Sequence, residues 1–268
     1  MITKVLVVGD IHTKTNVLQK VIDNSHLFDK IIFLGDYLDD WGKAPEASYN
    51  LLRDLLRFKK GNQDKVILLF GNHDLSEWLG GNFMCSGYNP NTHSLIDYDF
   101  CRDQSLFNLA YEYEGWLFTH AGVCSGWLKD NKIELPKKNI AKFLADKFNE
   151  TFRMRGVDRE HYNLFQAFAT AGEMRGGWHN PSPLWADERE LIKDPVAHLN
   201  QVVGHTPVLT IKNHIAKFRG GDSQLYFCDT HSTFDDGEPI GDGTFLIMNF
   251  HEDGKVYCLP TILVAKDK

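Results

Sequence analysis

The sequence predicts an α/β fold that opens with parallel strands and closes with antiparallel ones. Two patterns carry this. In residues 1–70, short apolar runs alternate with helical stripes, and the resulting β-α-β-α-β order implies parallel strands joined by right-handed crossovers. From residue 200 onward, strand-length runs follow one another with turn signals such as Asp236-Gly237 and Asp253-Gly254 between them, which implies hairpin-like pairing. A third pattern concerns chemistry. The early apolar runs stop at a glycine followed by acidic, amide or imidazole side chains. In open α/β sheets, ligands gather beyond the carboxyl ends of the strands.

Val5 to Val8 reads as the first strand and runs into Gly9-Asp10-Ile11-His12. Residues 14–24 place Val17, Leu18, Val21 and Ile22 on one helical stripe. Ile31 to Leu34 reads as the second strand and closes on Gly35-Asp36-Tyr37-Leu38-Asp39-Asp40. Pro45 suits the first position of a helix, which Leu51, Leu52, Leu55, Leu56 and Phe58 continue. Val66 to Phe70, an unbroken apolar run suited to burial on both faces, is the third strand and stops at Gly71-Asn72-His73-Asp74. Residues 80–100, with Gly80, Gly81, Gly87, Asn89 and Pro90, read as a loop or lid.

Tyr111 to Phe118 reads as one further strand, ending in Thr119-His120-Ala121-Gly122. Residues 136–172 read as helical, with Ile140, Phe143, Leu144, Phe148 and Phe152 on one stripe and Leu164, Phe165 and Phe168 on another. Gly172 to Pro183 reads as a Gly-, Trp- and Pro-rich loop. Gln201 to Val203 is a strand ending in Gly204-His205-Thr206-Pro207, and strand candidates follow at about 208–218, 224–228, 244–250 and 255–263. A single domain over 1–268 is expected, with a mainly helical insertion at about 123–200, since no flexible or Pro-rich linker isolates that segment.

With 43% hydrophobic and 24% charged residues, the composition is that of an ordinary globular protein. The net charge of −7 argues against nucleic acid or an anionic membrane as a bulk partner. Bound metal ions would still attract phosphate locally. Cys85, Cys101, Cys124, Cys228 and Cys258 are odd in number and form no CxxC pair, which argues against a disulfide framework or a zinc finger. They read as small buried hydrophobes in a reduced compartment. The N-terminus lacks a signal-peptide pattern and the apolar runs are too short to span a bilayer, so a cytoplasmic location without membrane contact is the expectation.

Five polar blocks carry the chemistry: Asp10-x-His12, Asp36-x-x-Asp39, Asn72-His73-Asp74, His120 and His205. Each follows an apolar run. They offer oxygen and imidazole ligands with no cysteine, a set suited to Mn²⁺, Fe or Zn²⁺. Asp10, His12, Asp36, Asn72, His120 and His205 are too many for one ion and suit two. A central carboxylate, Asp36 above all, can bridge ions about 3.5–4 Å apart. Asp-x-His or a lone histidine such as His120 or His205 is a weak signal by itself, because a lone histidine is commonly structural; Gly-Asn-His-Asp after a strand says more, and the series at strand ends is a strong signal.

The blocks Gly9-Asp10-Ile11-His12, Gly35-Asp36-Tyr37-Leu38-Asp39, Gly71-Asn72-His73-Asp74, Thr119-His120-Ala121-Gly122 and Gly204-His205-Thr206-Pro207 resemble those of the calcineurin-like metallophosphoesterases. The resemblance spans nearly the whole chain. Pro183-Leu184-Trp185-Ala186-Asp187 resembles a Leu-Trp-x-Asp segment of the Ser/Thr phosphoprotein phosphatase branch. That branch includes bacterial protein phosphatases and the related diadenosine tetraphosphate hydrolases. The resemblance implies a β-sandwich of mixed sheets flanked by helices, in α-β-β-α layers. It implies two divalent ions, Mn²⁺ first and Fe or Zn²⁺ next. Asp10, His12 and Asp36 would hold one ion, and Asp36, Asn72, His120 and His205 the other. His73 would be the general acid and Asp39 its orienting carboxylate.

The implied reaction is hydrolysis of a phosphate monoester, including a Ser/Thr phosphoprotein, with hydroxide formed at the ions as nucleophile. A phosphodiesterase or dinucleoside polyphosphate hydrolase is the rival enzyme, and a binding scaffold without turnover the rival from another class. The substrate is in each case phosphorylated: protein, nucleotide or small molecule. His73 favours an enzyme, since a scaffold has no need of it. One departure stands out. The phosphatase pattern has arginine after the carboxylate matching Asp39, and this chain has Asp40. Either Asp40 turns away or another cation serves. Arg175, in a glycine-rich stretch, is the first candidate for a bidentate phosphate clamp, ahead of Arg102 and Arg189. His231 reads as a polar turn residue, and Trp78, Trp178 and Trp185 as packing residues.

Overall fold

The apolar runs near residues 5, 31 and 66 form adjacent parallel strands in the computed structural model, which describes residues 2–265. They are β1 (Ile2–Val8), β2 (Lys30–Phe33) and β3 (Val66–Leu69), connected by α1 (Thr15–Asn24) and α2 (Pro45–Gly61). In register, Val7 pairs with Ile32, and Phe33 with Leu68, all wholly shielded from solvent. A one-residue slip would leave the apolar content of these strands unchanged, but it would shift the polar residues beyond their ends. The helices supply the cover. Val17, Leu18 and Val21 of α1 are buried, as are Leu51, Leu52, Leu55 and Leu56 of α2.

Beyond β3 come α3 (Asn72–Leu79), α4 (Pro90–Asp103) and β4 (Phe107–Asn108). The expected loop over 80–100 is therefore corrected: its second half is a helix. Pro90 occupies the first turn, and the Asn89 side chain accepts the N–H of Asn91 at 2.9 Å as an N-cap. Phe100 then stacks on Trp78 at 5.3 Å, Trp78 on Phe70 at 5.7 Å, and Phe70 on Phe107 at 4.8 Å. Burying each such ring stabilises the fold by about 1.5–3 kcal/mol.

The second region holds β5 (Ala110–Tyr113), β6 (Trp116–Thr119), α5 (Ser125–Asp130), α6 (Ile140–Met154), α7 (Arg159–Ala167), α8 (Glu188–Lys193), β7 (Asn200–Pro207), β8 (Lys212–Ala216) and β9 (Ser223–Asp229). The expected single strand at 111–118 is a hairpin. Tyr113 pairs with Trp116, and Glu114 and Gly115 take φ of 48° and 80°, the two positive values of a two-residue hairpin turn. α6 packs on β5 and β6, with Leu144, Phe148 and Phe152 buried. The chain ends in β10 (Phe245–His251) and β11 (Val256–Thr261), an antiparallel pair turned at Asp253-Gly254 as expected. Asp236-Gly237 turns the chain within a short antiparallel bridge between Thr233 and Pro239, whereas β9 and β10 further out on either side belong to different sheets.

Two mixed sheets with flanking helices result. One has the order β11-β10-β1-β2-β3-β4 and the other β5-β6-β7-β9-β8. The chain divides into two compact units, Met1–Phe107 with Pro207–Ile211 and Cys228–Lys268, and Asn108–Thr206 with Lys212–Phe227. No described helix is long and apolar enough to cross a membrane. Cys124 and Cys228 are buried as expected, whereas Cys101 lies exposed on the outer face of α4 and Cys85 and Cys258 are half-buried.

One side chain ties the ends of β2 and β3 together. Asp74, in the first turn of α3, is wholly buried. Its Oδ2 accepts the N–H groups of Gly71 at 2.9 Å and Asp36 at 2.8 Å. Its Oδ1 accepts those of Tyr37 at 2.9 Å and Leu38 at 3.3 Å. These donors are buried, and each would cost about 1–3 kcal/mol if left unpaired. Asp74→Ala should therefore lower the free energy of unfolding by roughly 3–5 kcal/mol in urea titration. A loss below about 1 kcal/mol would mean that the two loops hold themselves.

Candidate functional site

In the first unit, the loops after β1, β2 and β3 meet. Asp10 and Asp36 are buried and His12 is half-buried, with ligand atoms of all three within 4.8 Å of one another. The backbone here is held in an unusual conformation. His12, Thr13, Asp36 and Asp39 have φ of 35°, 61°, 52° and 62°. Each such residue costs about 1–3 kcal/mol and persists only where its surroundings fix it. They do: the N–H groups of Ile11 and His12 donate to the Asp36 carbonyl at 3.1 and 3.0 Å, and that of Thr13 to the Tyr37 carbonyl at 2.8 Å. The glycines before the polar blocks have a steric cause. A Cβ at Gly71 would collide with the Asp36 carboxylate, and one at Gly35 with the Gly71 backbone.

The tautomer of His12 follows from its partners. Nδ1 faces the carbonyls of Asp39 at 2.8 Å and Leu38 at 3.2 Å, which only accept, so Nδ1 carries the proton. The Nε2 lone pair is then the one that points to Asp36, 3.9 Å from Oδ2.

His73 stands beside this cluster in the first turn of α3, its ring 5.2 Å from that of His12 and nearly perpendicular to it. Its Nδ1 is 2.9 Å from Asp39 Oδ2, and its backbone N–H donates to Asp36 Oδ1 at 2.9 Å. Burial by itself would lower the His73 pKa. The Asp36 and Asp39 carboxylates outweigh it and hold the imidazolium well above the ordinary histidine value. Asn72, the neighbouring residue, is buried at the start of the same helix.

Asp40 turns to a cation of its own. Its carboxylate lies 3.1 Å from Lys14 Nζ and accepts the hydroxyl of Thr233 at 3.2 Å. Lys14 also donates to the His12 carbonyl at 3.4 Å. Neither Lys14 nor Asp229 was legible as a site residue. Asp229 is a buried carboxylate at the end of β9 that accepts the Ser232 N–H at 3.2 Å and hydroxyl at 2.8 Å. Burial pushes its pKa up, His12 and the Ser232 bonds pull it back, and Asp36 adds to the rise. His231 lies at a bend of the chain and is buried, packed on the Phe245 ring at 4.7 Å. Burial, with Lys20 and Lys14, lowers its pKa to about 4, so it is neutral at pH 7.

In the second unit, His120 follows β6 and His205 lies in β7, and these strands are parallel neighbours. Both histidines therefore stand at one end of the sheet, as the polar blocks do in the first unit. His120 Nε2 is 3.1 Å from His205 Nδ1. His205 has φ of 64°, and the Gly204 N–H donates to the His120 carbonyl at 2.7 Å.

Arg175 closes a single 3₁₀ turn in the expected loop. Its Nη2 donates to the His205 carbonyl at 3.4 Å and the Thr206 hydroxyl at 3.3 Å, and its Nε lies 3.4 Å from Asp187 Oδ2. Arg189 is engaged with Asp187 at 2.8 Å, and Arg102 with Asp99 at 2.6 Å and with Asp103. Trp185 sets its ring edge-on to His205 at 5.9 Å, and Trp78 packs in the aromatic cluster. Trp178 is 94% exposed, against expectation, because its loop carries it outward.

The donor set fits divalent cations. Two buried carboxylates held this close repel each other unless positive charge lies among them. Two imidazole nitrogens 3.1 Å apart match ligands of one ion with metal–nitrogen bonds of about 2.0–2.1 Å. No thiolate stands in either set, which suits hard to borderline ions.

Residues 3–232 match the family model for calcineurin-like phosphoesterases. No curated protein matches the chain in sequence. Among solved structures, the chain is similar to a metallophosphoesterase from Sphaerobacter thermophilus, with 13% identity, TM-score 0.43, and 98% of this chain and 89% of that one covered. It is also similar to the protein TT1561 of Thermus thermophilus, with 10% identity, TM-score 0.42, and coverage of 97% and 99%. The family model spans most of the chain and takes in all five polar blocks, so this protein belongs to the calcineurin-like phosphoesterase family.

Proposed function

We propose that this protein is a two-ion phosphomonoesterase in which His73 is the general acid. The observation that carries the reading is the His73–Asp39 pair, 2.9 Å apart, next to the three-ligand cluster of Asp10, His12 and Asp36. The ligands assigned are Asp10, His12, Asp36 and Asn72 in the first unit and His120 and His205 in the second. Asp36 is the carboxylate that would serve both ions, and Mn²⁺ is the ion assigned first. Bound divalent ions supply an activated water near neutral pH and neutralise charge on the phosphoryl oxygens.

The remaining roles belong to the chain. Asp39 accepts from His73 Nδ1 and so fixes the imidazole with Nε2 directed outward. The same bond keeps the ring protonated before reaction, so that Nε2 can hand a proton to the departing oxygen. A cation on Asp36 would cancel that carboxylate's push on His73 and leave the contribution of Asp39. Arg175 is assigned to the phosphoryl oxygens. Its bonds to the His205 carbonyl and Thr206 hydroxyl are long, at 3.3–3.4 Å, and can be exchanged for phosphate while Asp187 keeps its pair with Arg189. Lys14 neutralises Asp40, which removes the objection that an extra carboxylate would repel substrate. The Leu184-Trp185-Ala186-Asp187 segment resembles the phosphoprotein phosphatase branch, so a Ser/Thr phosphoprotein is the substrate class proposed first, with the dinucleoside polyphosphates of the same branch as the rival.

Turnover of phosphopeptides, nucleotides and dinucleoside polyphosphates with Mn²⁺ tests the reading. Phosphopeptides should be turned over fastest; faster diester or polyphosphate cleavage would select the rival activity. Protein loaded with Mn²⁺ should carry about two ions per chain by elemental analysis, and Asp36→Asn should lower that to one or fewer. His73→Asn should keep its metal but lose roughly 10²–10⁴-fold in kcat on a serine phosphate, and much less on p-nitrophenyl phosphate, whose leaving group hardly needs a proton. Equal losses on both would make His73 structural. Arg175→Ala should weaken kcat/KM and phosphate inhibition at least ~10-fold with unchanged metal content, and Arg175→Lys should recover only part of this.

A further inference from the structure

Residues 80–89, between α3 and α4, converge on the His73–Asp39 pair. Glu77 lies one turn beyond His73 on α3 and is 1% exposed. Its Oε1 accepts the N–H of Asn89, the cap residue of α4, at 2.9 Å. From α4, His93 Nδ1 donates to the Glu77 carbonyl at 2.9 Å. The neighbouring Ser76 hydroxyl accepts the N–H of Cys85 at 3.0 Å. So tethered, the loop lies against the pair. Cys85 Sγ is 3.7 Å from His73 Nδ1. Gly87, with φ of 93°, passes so close that a Cβ would collide with Asp39 Oδ2.

An acid at position 77 is costly. Oε2 of Glu77 is buried with no hydrogen-bond partner among the described residues. A glutamine would make the same Oε1 bond without placing a charge near Asp39 and Asp74. We infer that Glu77 is a positioning residue: by holding Asn89 it seats loop 80–89 over the His73–Asp39 pair. The inference rests on the reading of His73 as the acid. In this view the loop confines Asp39, and through it the direction in which His73 Nε2 points.

Because the latch is an acid, it is sensitive to pH. The groups that face it are Asp39 from the loop after β2, His73 and Asp74 from its own helix, and His93 through the Glu77 carbonyl. Burial pushes the Glu77 carboxyl up to about 7; the Asn89 bond and His73 oppose the rise, and Asp39 and Asp74 add to it. The seated loop thus holds the proton more tightly than an open loop in which Glu77 titrates at its ordinary value. Seating is strongest below that ordinary value and weakens as pH rises through about 7.

Amide hydrogen exchange on the whole protein, loaded with Mn²⁺ and corrected for intrinsic rate, tests this. In wild type, protection of residues 81–89 should fall several-fold between about pH 6 and pH 8, and in Glu77→Gln it should stay level. Glu77→Ala should lose protection at both pH values and lose at least ~10-fold in kcat on a serine phosphate, with KM within about 2-fold and metal content unchanged. Level protection in wild type, or a released loop with unchanged kcat in Glu77→Ala, overturns the inference. If Glu77→Ala does not fold, the wild-type pH series and Glu77→Gln decide it. The two readings fail separately. A His73→Asn variant with full turnover removes the acid, whereas a crippled His73→Asn beside an active Glu77→Ala removes only the latch.

Discussion

The Asp74 carboxylate, buried at the start of α3, accepts backbone N–H groups from both the β2 and β3 loops, and the rest of the first unit's site depends on it. With Tyr37 and Leu38 anchored, Asp36 can keep its positive φ and present its carbonyl to Ile11 and His12. That contact brings the β1 loop in. Asp36 Oδ1 in turn accepts the His73 N–H, which leads back to α3. The loops form a closed circuit of bonds from backbone N–H groups to carboxylates and carbonyls, so the ligand atoms need not be positioned one by one. Strain at four non-glycine residues is tolerated because the circuit over-determines them.

Charge is distributed with the same economy. Asp10, Asp36 and Asp229 are buried carboxylates near one another, a costly arrangement for a chain already at −7. Each other acid near them has a separate occupation. Asp74 takes backbone donors, Asp39 takes His73, and Asp40 takes Lys14. Asp10 and Asp36 lie with His12 in the ligand cluster, which is where divalent cations would be drawn in this member of the calcineurin-like phosphoesterase family.

Much of this was legible in the sequence, for physical reasons. Buried parallel strands need unbroken apolar runs, and close loop contacts need glycine, so β1, β2 and β3 and their polar ends announced themselves. The helix at 90–103 was hidden because its inward stripe mixes Ile96 and Phe100 with Thr92, Asp99 and Asp103, which blurs the apolar period. The hairpin at 110–119 was hidden because both strands are short and only Glu114-Gly115 marks the turn between them. Asp74 stands in a polar block beside His73 without an assigned role in the sequence; only the loops it binds, far away in sequence, give its task. Lys14, Glu77 and Asp229 act through partners that no local motif specifies. A lysine two residues after His12 and a glutamate four after His73 were the available signals.

The most direct test of the account is anomalous scattering at the manganese edge from crystals grown with Mn²⁺. The account predicts two peaks about 3.5–4 Å apart, one of them coordinated by Asp10, His12 and Asp36, with His73 beside the pair and bonded to Asp39 rather than to metal. A single peak, or His73 coordinated to an ion, would contradict it.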